Sequence, residues 1–284
     1  VAVMQRLIRW LLRRGQTAGA PARKPALQHP RKLTREDLLR MIEENGGPEG
    51  LDLSRQDLSW LDVSREVISR EAEIATQDRG RRPVWQNERN GGINLKGVNL
   101  VDANLFGANL AYADLNNAQL DGAMLKAACL AKSWLRHATL HHADLSRADL
   151  SGARAMDVDF QEADLASTDL TGTDFDGANL RGASVYKAFF SGTKISRREL
   201  GAAIMQENLA DLSASLLRHN PHYRLDTLAT RFRGRQFEEA RQVYSSLKAN
   251  FLETGNFEDA SWAHIKERQM AKITHHPRHA KDYY

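Results

Sequence analysis

Leucine recurs at every fifth position through NLVDANLFGANLAYADL, residues 99–115. A helix advances about 100° per residue, so leucines five apart drift around the cylinder and share no face. A strand alternates faces with period two, so every second leucine points the wrong way. The pattern predicts a unit that repeats every five residues and turns the chain equally each time.

The series occupies every multiple of five from Leu95 to Ile195, 21 positions of which 15 are Leu and three are Phe. Its expected core is Leu95, Leu100, Leu105, Leu110, Leu115, Leu120, Leu145, Leu150, Phe160, Leu165, Leu170, Phe175 and Leu180. Two residues before each centre lies a second column, Ala at 14 of its 21 positions. Residues two apart in an extended segment point the same way, so both columns face inward and the rest face out. Ala155 stands where a large residue belongs, which makes its coil the expected weak point, with Met156 or Val158 to fill the space. Short internal periods of this kind are the signature of solenoids.

The runs ADLSRADLSGA (143–153) and ANLFGANLAYADL (103–115) resemble the pentapeptide-repeat family. The resemblance implies a mainly β fold, a right-handed quadrilateral β-helix in which five residues form one side of a square and four units close a coil. Twenty residues per coil give about five coils, roughly 25 Å at ~4.8 Å per step. The fragment LDLSRQDLSWLDVS (51–64) repeats Leu53, Leu58 and Val63 in the same step but out of register. Residues 65–90 therefore read as an insertion or a loop between coils.

The flanks divide the chain into a basic flexible tail (1–33), a capping helix (34–50), short repeats with an insertion (51–92), the β-helix (93–195) and a helical module (196–284). Thr34 with Asp37 three residues on predicts a helix start, Leu38, Met41 and Ile42 share a face, and Gly46 stops it. Its expected role is to cap the open N-terminal end of the solenoid. Ser196 and Glu199 make a second capping box, from which Leu200, Ile204, Leu212 and Leu216 predict an amphipathic helix reaching Asn220–Pro221 and covering the other end. Residues 237–272 read as two helices around Gly255–Asn256. Ala240, Tyr244, Leu247 and Phe251 line the first, and Phe257, Ala260, Ala263 and Ile265 the second. This hairpin resembles a tetratricopeptide-type unit and the helical segment that follows the repeats in a subset of bacterial members, some of which continue into membrane helices.

The net charge of +4 misleads as an average. Residues 1–33 hold eight basic residues and no acid, leaving 32 basic against 36 acidic side chains in 34–284, a net of −4. Met4, Leu7, Ile8 and Leu11 keep helical spacing with arginines off the stripe, so residues 1–14 can lie on an anionic membrane surface. The run AGAPARKPALQHP equally has a linker's composition. One cysteine, Cys129, excludes an intramolecular disulfide and suits a reducing cytosol.

Catalytic chemistry is not legible. The chain lacks GxxxxGK[ST], HExxH and GxSxG, and its aspartates follow the repeat rather than converging. No catalytic, cofactor or metal site is expected. His137, His141 and His142, with Cys129, come nearest to a ligand cluster and read as solvated surface, as do His275, His276 and His279. Between Asp121 and Asp144 no acidic residue occurs, while Lys126, Lys132, Trp134, Arg136, His137, His141 and His142 are expected to point outward. From Asp144 to Asp176 the surface turns acidic. A Trp in a basic patch beside an acidic field suits a contact with a protein or nucleic acid.

The expected function is that of a non-enzymatic, cytoplasmic scaffold or adaptor, binding a protein through solenoid faces and the hairpin, with pairing into a homodimer open. An alternative is the cytoplasmic arm of a membrane-associated assembly, held at the inner membrane face through residues 1–14. The resemblance offers a third reading, because some family members imitate duplex DNA and bind type II topoisomerases. Mimicry needs a strongly negative rod. Residues 93–195 carry 12 acidic and nine basic side chains, a net of −3, which argues against that reading and against nucleic acid as a partner.

Overall fold

The computed structural model describes residues 32–80, 82–201, 204 and 226–275. The expected 1–14 helix, the stretch containing Leu212 and Leu216, and His276 and His279 lie outside them. Within them the five-residue unit is explicit. Backbone bridges join each unit to the one 20 residues on, in parallel: Asn94 to Asp114, Asn99 to Gln119, and so on to Asp174 with Lys194. Four pentads therefore close one coil. Each bridge is a single residue long, and the described residues contain no extended strand. A chain that turns every five residues has no room for one.

Residues 100–104 show why five suffices. Leu100 N–H donates to the Gln119 carbonyl (2.7 Å) and Asp102 N–H to the Asp121 carbonyl (2.9 Å). Ala103 N–H closes a turn on the Leu100 carbonyl (3.0 Å), and Asn104 N–H donates to the Gln56 carbonyl of the coil before (2.9 Å). Only Val101 N–H lacks a backbone acceptor, and the side-chain oxygen of Asn99 takes it at 3.1 Å. That bond accounts for the Asn and Asp that precede so many centres: every buried N–H needs an acceptor, and Asx side chains reach two residues on. The turn's second central residue has positive φ, as at Asp102, His137 and Glu162, while the first does not, the signature of a type II turn.

The inward columns form one core. Every centre from Leu95 to Ile195 that is named among the buried hydrophobics is at most 7% exposed. Thr168, Thr173 and Thr193 replace Ala in the small column without leaving a hydroxyl stranded. Each Oγ1 donates to the carbonyl 23 residues earlier, at 2.7–2.9 Å. Ala155 is fully buried, and Phe160 and Phe175 meet edge to face beside it, ring centroids 5.6 Å apart. Val158 joins the core, whereas Met156 stays half-buried.

The early repeats continue the solenoid. Asp52, Asp57 and Asp62 bridge Asn99, Asn104 and Asn109, a separation of 47 where the main ladder has 20. The 27 extra residues hold α2 (Arg65–Arg79) and a tight loop. The three sides of 51–64 lack a fourth, and Trp85 supplies it. Its carbonyl accepts Asn94 N–H at 2.7 Å, the bond that Leu51, Gln56 and Leu61 provide on the other sides. Its ring is buried, and Nε1 donates to Glu43. Gly92 lets this loop lie against the next coil, since a Cβ there would meet the Tyr112 carbonyl at 2.2 Å.

Helices close both ends. α1 (Arg35–Glu44) begins on the Thr34–Asp37 capping box and buries Leu38, Leu39 and Ile42 in the solenoid core. At the other end Ser196 caps α3 (Arg197–Leu200), which stops after four residues. The helix expected from Ser196 is broken after Leu200, where Gly201 turns away at φ 80° and Ile204 is buried outside any helix; its expected reach to Asn220–Pro221 lies outside the described residues. The hairpin of α4 (Asp226–Glu253) and α5 (Phe257–His275) packs on the last coil. Asn250 accepts Thr193 N–H and donates to the Thr193 carbonyl, both at 3.0 Å, so a side-chain amide takes the place of the next coil's backbone. Glu253 accepts from Ser191 Oγ, and Asp259 from Arg197 N–H. α4 buries Ala240, Tyr244, Leu247 and Phe251 as expected, and α5 buries Ala260 and Ala263. Phe257 and Ile265 instead face out, 69% and 58% exposed. Ile265 sits about 140° around α5 from Ala260, and Trp262 and Met270 take the inward places.

Candidate protein-binding surface

The two residues after each centre occupy a corner of the coil, so the sequence-predicted site residues are set by their place in the pentad. Lys126 stands at one corner, Lys132 at the next, Arg136 and His137 at the third, and His141 and His142 at the fourth. The structure spreads them around the whole coil and does not gather them into one patch. No three His, Cys, Asp or Glu side chains among the described residues are placed to hold a metal ion.

The acidic run that follows in sequence lies on the next coil, directly against them. Arg136 and His137 share Asp157 at 3.4 and 3.8 Å. His141 Nε2 meets Asp159 at 2.7 Å, and His142 meets Glu162 at 3.4 Å. Arg136 and the three histidines of the basic patch therefore stack against carboxylates of the acidic field. Lys132 takes no part in these pairs; its Nζ donates to the Tyr112 hydroxyl at 3.0 Å and lies 5.3 Å from the ring centroid. That contact holds the phenol below its ordinary pKa. Cys129 is half-buried with Asp149 at 3.9 Å, and burial, then the carboxylate, push its thiol up.

Trp134, expected to be solvated, is half-buried, and the Arg154 guanidinium of the next coil lies 5.4 Å from its ring centroid. Its place in the pentad normally holds Asn or Asp, which would accept the N–H two residues on. Here Arg136 N–H turns to Asn116 Oδ1 of the coil before (2.8 Å), and beside Thr139 the His141 N–H turns to Asp121 Oδ1 (2.9 Å). The repeat tolerates Trp134 because the neighbouring coil supplies the missing acceptor.

Trp134 also forms part of a groove of about 790 Å³. Its floor is one column of the solenoid, Asn94, Asp114, Trp134 and Arg154, with Asn116, Arg136 and Met156 at the adjoining corner. One wall is the loop around Val84–Arg89, the other Gly46–Glu49. The loop is pinned in place: Asn87 Nδ2 donates to Asp114, Asn90 Nδ2 donates to the Tyr112 carbonyl (2.8 Å), and Asn87 Oδ1 accepts Arg89 N–H (2.8 Å). Burial raises the Asp114 carboxyl above its ordinary pKa, against the lowering effects of Asn116 N–H, Lys96 and Asn87. Sequence reasoning missed Asn87, Lys96, Asp114 and Arg154. Writing the chain in rows of 20 would have aligned Asp114, Trp134 and Arg154, but nothing in the repeat points to Asn87.

The family described as Pentapeptide repeats matches residues 92–126, 125–161 and 158–197, in eight copies. Among solved structures the chain is similar to the pentapeptide repeat protein Rfr23 of the cyanobacterium Cyanothece 51142, at 21% identity over 55% of this chain and 95% of that one (TM-score 0.23). It is similar to HetL of the cyanobacterium Nostoc sp. strain PCC 7120, a pentapeptide repeat protein involved in heterocyst differentiation regulation. Identity there is 23% over 58% of this chain and 81% of that one (TM-score 0.21). QnrB1, a plasmid-mediated fluoroquinolone resistance protein, is 16% identical over 59% and 84% (TM-score 0.23). No curated protein matches the chain.

Proposed function

We propose, for a chain whose residues 92–197 belong to the pentapeptide-repeat family, the role of a non-enzymatic scaffold or adaptor that binds another protein. The observation that carries this reading is the C-terminal hairpin. Its inner face is spent on sealing the last coil through Asn250, Glu253 and Asp259. Its outer face keeps Leu252, Phe257 and Ile265 more than half exposed. Exposed large apolar side chains on an element held to the fold are the usual anchors of protein contacts. The solenoid adds regular faces on which carboxylates lie around the coil instead of meeting in a cleft. The reading includes a right-handed winding of the square coil, the hand that parallel crossover connections adopt almost without exception.

No helix among the described residues is long and apolar enough to cross a membrane. A cytoplasmic place is part of the proposal and draws on the single half-buried cysteine. Affinity capture from native bacterial lysate, with detergent-solubilised membranes included, tests the reading by comparing the intact chain with one ending at residue 196. A specific protein retained by the intact chain and lost on truncation supports it. Recovery of a type II topoisomerase by both would favour mimicry instead.

A further inference from the structure

We infer that the groove between the Val84–Arg89 loop and the Trp134 face binds an extended acidic peptide. The inference rests on the protein-binding reading above and gives that site its ligand chemistry. Some cations of the coils meet a carboxylate one coil away, as Arg136 does Asp157 and Lys194 does Asp174. The groove gathers cations that do not. Arg89, Lys96 and Arg154 are exposed on its lining, and none of the three makes an ion pair within 4.0 Å among the described residues. Arg154 lies over the Trp134 ring in place of a carboxylate. Asp114 on the floor is buried and engaged by Asn87 and Asn116 N–H, and the exposed acids of the walls, Glu49 and Glu88, are outnumbered by Arg82, Arg89, Lys96 and Arg154.

The shape fits a stretched chain. The floor column from Asn94 to Arg154 covers three coil steps. At ~4.8 Å each this is about 14 Å, the length of about four extended residues at ~3.3 Å. The walls are fixed before any ligand arrives, since Trp85 is buried as the fourth side of a coil and Asn87 and Asn90 bond to the floor. A preformed groove loses little ordering entropy on binding. Acidic side chains would reach Arg154, Lys96 and Arg89, and an apolar neighbour would cover the exposed edge of Trp134. A single nucleic-acid strand is the rival polyanion, but it stacks on successive aromatic platforms, and this floor offers one. The chain beyond residue 33, at net −4, also lacks the positive field that nucleic acid selects.

The test uses the intact chain and the fluorescence anisotropy of labelled hexaglutamate, hexaglutamine and hexathymidylate at low salt. Hexaglutamate is expected to bind, and hexaglutamine is not. Arg154→Glu should weaken hexaglutamate binding at least about tenfold. The same reversal at Arg147, an exposed corner on another side, should change it less than about twofold. Trp134→Asn, which restores a residue type common in the column, serves as a second variant if Arg154→Glu lowers the melting temperature, and it too should weaken binding. Equal losses at Arg147 and Arg154, no binding by the unmodified chain, or tighter binding of hexathymidylate overturns the inference. If hexaglutamate fails while a lysate protein is still lost on truncation at 196, the groove assignment falls and the adaptor reading stands. If hexaglutamate discriminates as expected and no protein is captured, the adaptor reading falls and the groove remains.

Discussion

His141 Nε2 lies 2.7 Å from Asp159 Oδ2, a residue 18 positions later and one coil along. The same carboxylate accepts from Asn179 of the coil beyond (3.0 Å) and from Gln161 N–H (3.1 Å). A 20-residue coil converts charge runs that are far apart in sequence into vertical contacts.

Both partners of that pair are about two-fifths exposed, so its net worth is small, on the order of 0–1 kcal/mol. His141→Asn should lower stability by less than about 1 kcal/mol in urea unfolding. Leu145→Ala, in the fully buried stack on the next side, should cost about 2–5 kcal/mol. Packing rather than surface charge holds the coil together, and comparable losses for the two variants would refute that.

Ala155 is not a void awaiting a larger side chain. Phe160 and Phe175 meet beside it, and Ala155 itself is 0% exposed. Ala155→Leu should therefore overpack the coil and destabilise it by about 1–3 kcal/mol. Stabilisation in a thermal melt would show that a cavity exists there after all.

Asn250 satisfies both backbone groups of Thr193 in a buried setting. Asn250→Leu leaves that N–H and carbonyl without partners, at about 1–3 kcal/mol each. The expected result is faster amide exchange at Thr193 and along α4, with exchange in the coils around Leu145 unchanged. Uniform acceleration throughout the chain would mean that the hairpin and the coils unfold as one.

Asp114 carries a pH signature. Its carboxyl is raised above the ordinary 3.8, chiefly by burial, with Asn116, Lys96 and Asn87 acting the other way. A folded state that binds the proton more tightly than the unfolded chain loses stability as pH rises from 3.8 through the raised value. The ionised form is thus a burden at neutral pH that is relieved on acidification. Asp114→Asn should be more stable than the unmodified chain at pH 7, and the gain should shrink as pH approaches 3.8. Glu267 behaves oppositely: burial opposes its ionisation but Lys248 outweighs it, and its lowered carboxyl gives up stability as pH falls. Melting temperatures of the Asp114 variant across this range check the sign, and a gain that grew on acidification would reverse the assignment.

Much of the fold was legible because the determinants are local. A large residue every five, a small one two before it, and the capping boxes at Thr34 and Ser196 each act within a few residues. What escaped was long-range. Trp85 completes a coil without any repeat sequence of its own. Asn250 reads as an ordinary helical residue until the last coil's open edge is beside it. Ile265 looked inward-facing only while the rotation of α5 was unknown, and the helix after Ser196 was extended through Gly201 because the apolar spacing continued past it. For the candidate site, residue types were right and their grouping was not. Lys126, Lys132 and the histidines go to different corners, while Trp134 acquires neighbours, Arg154 and the Val84–Arg89 loop, that lie 20 and about 45 residues away.

The proposed recognition of a protein partner uses an anchored hairpin and a walled solenoid face. Hydrogen–deuterium exchange of the intact chain, alone and with the protein recovered by affinity capture, tests it most directly. The predicted result is slower exchange in the outer face of α5 and in the segments 82–96 and 133–156, with the rest of the coils unaffected. Capture of no protein, or protection confined to other sides of the solenoid, would contradict it.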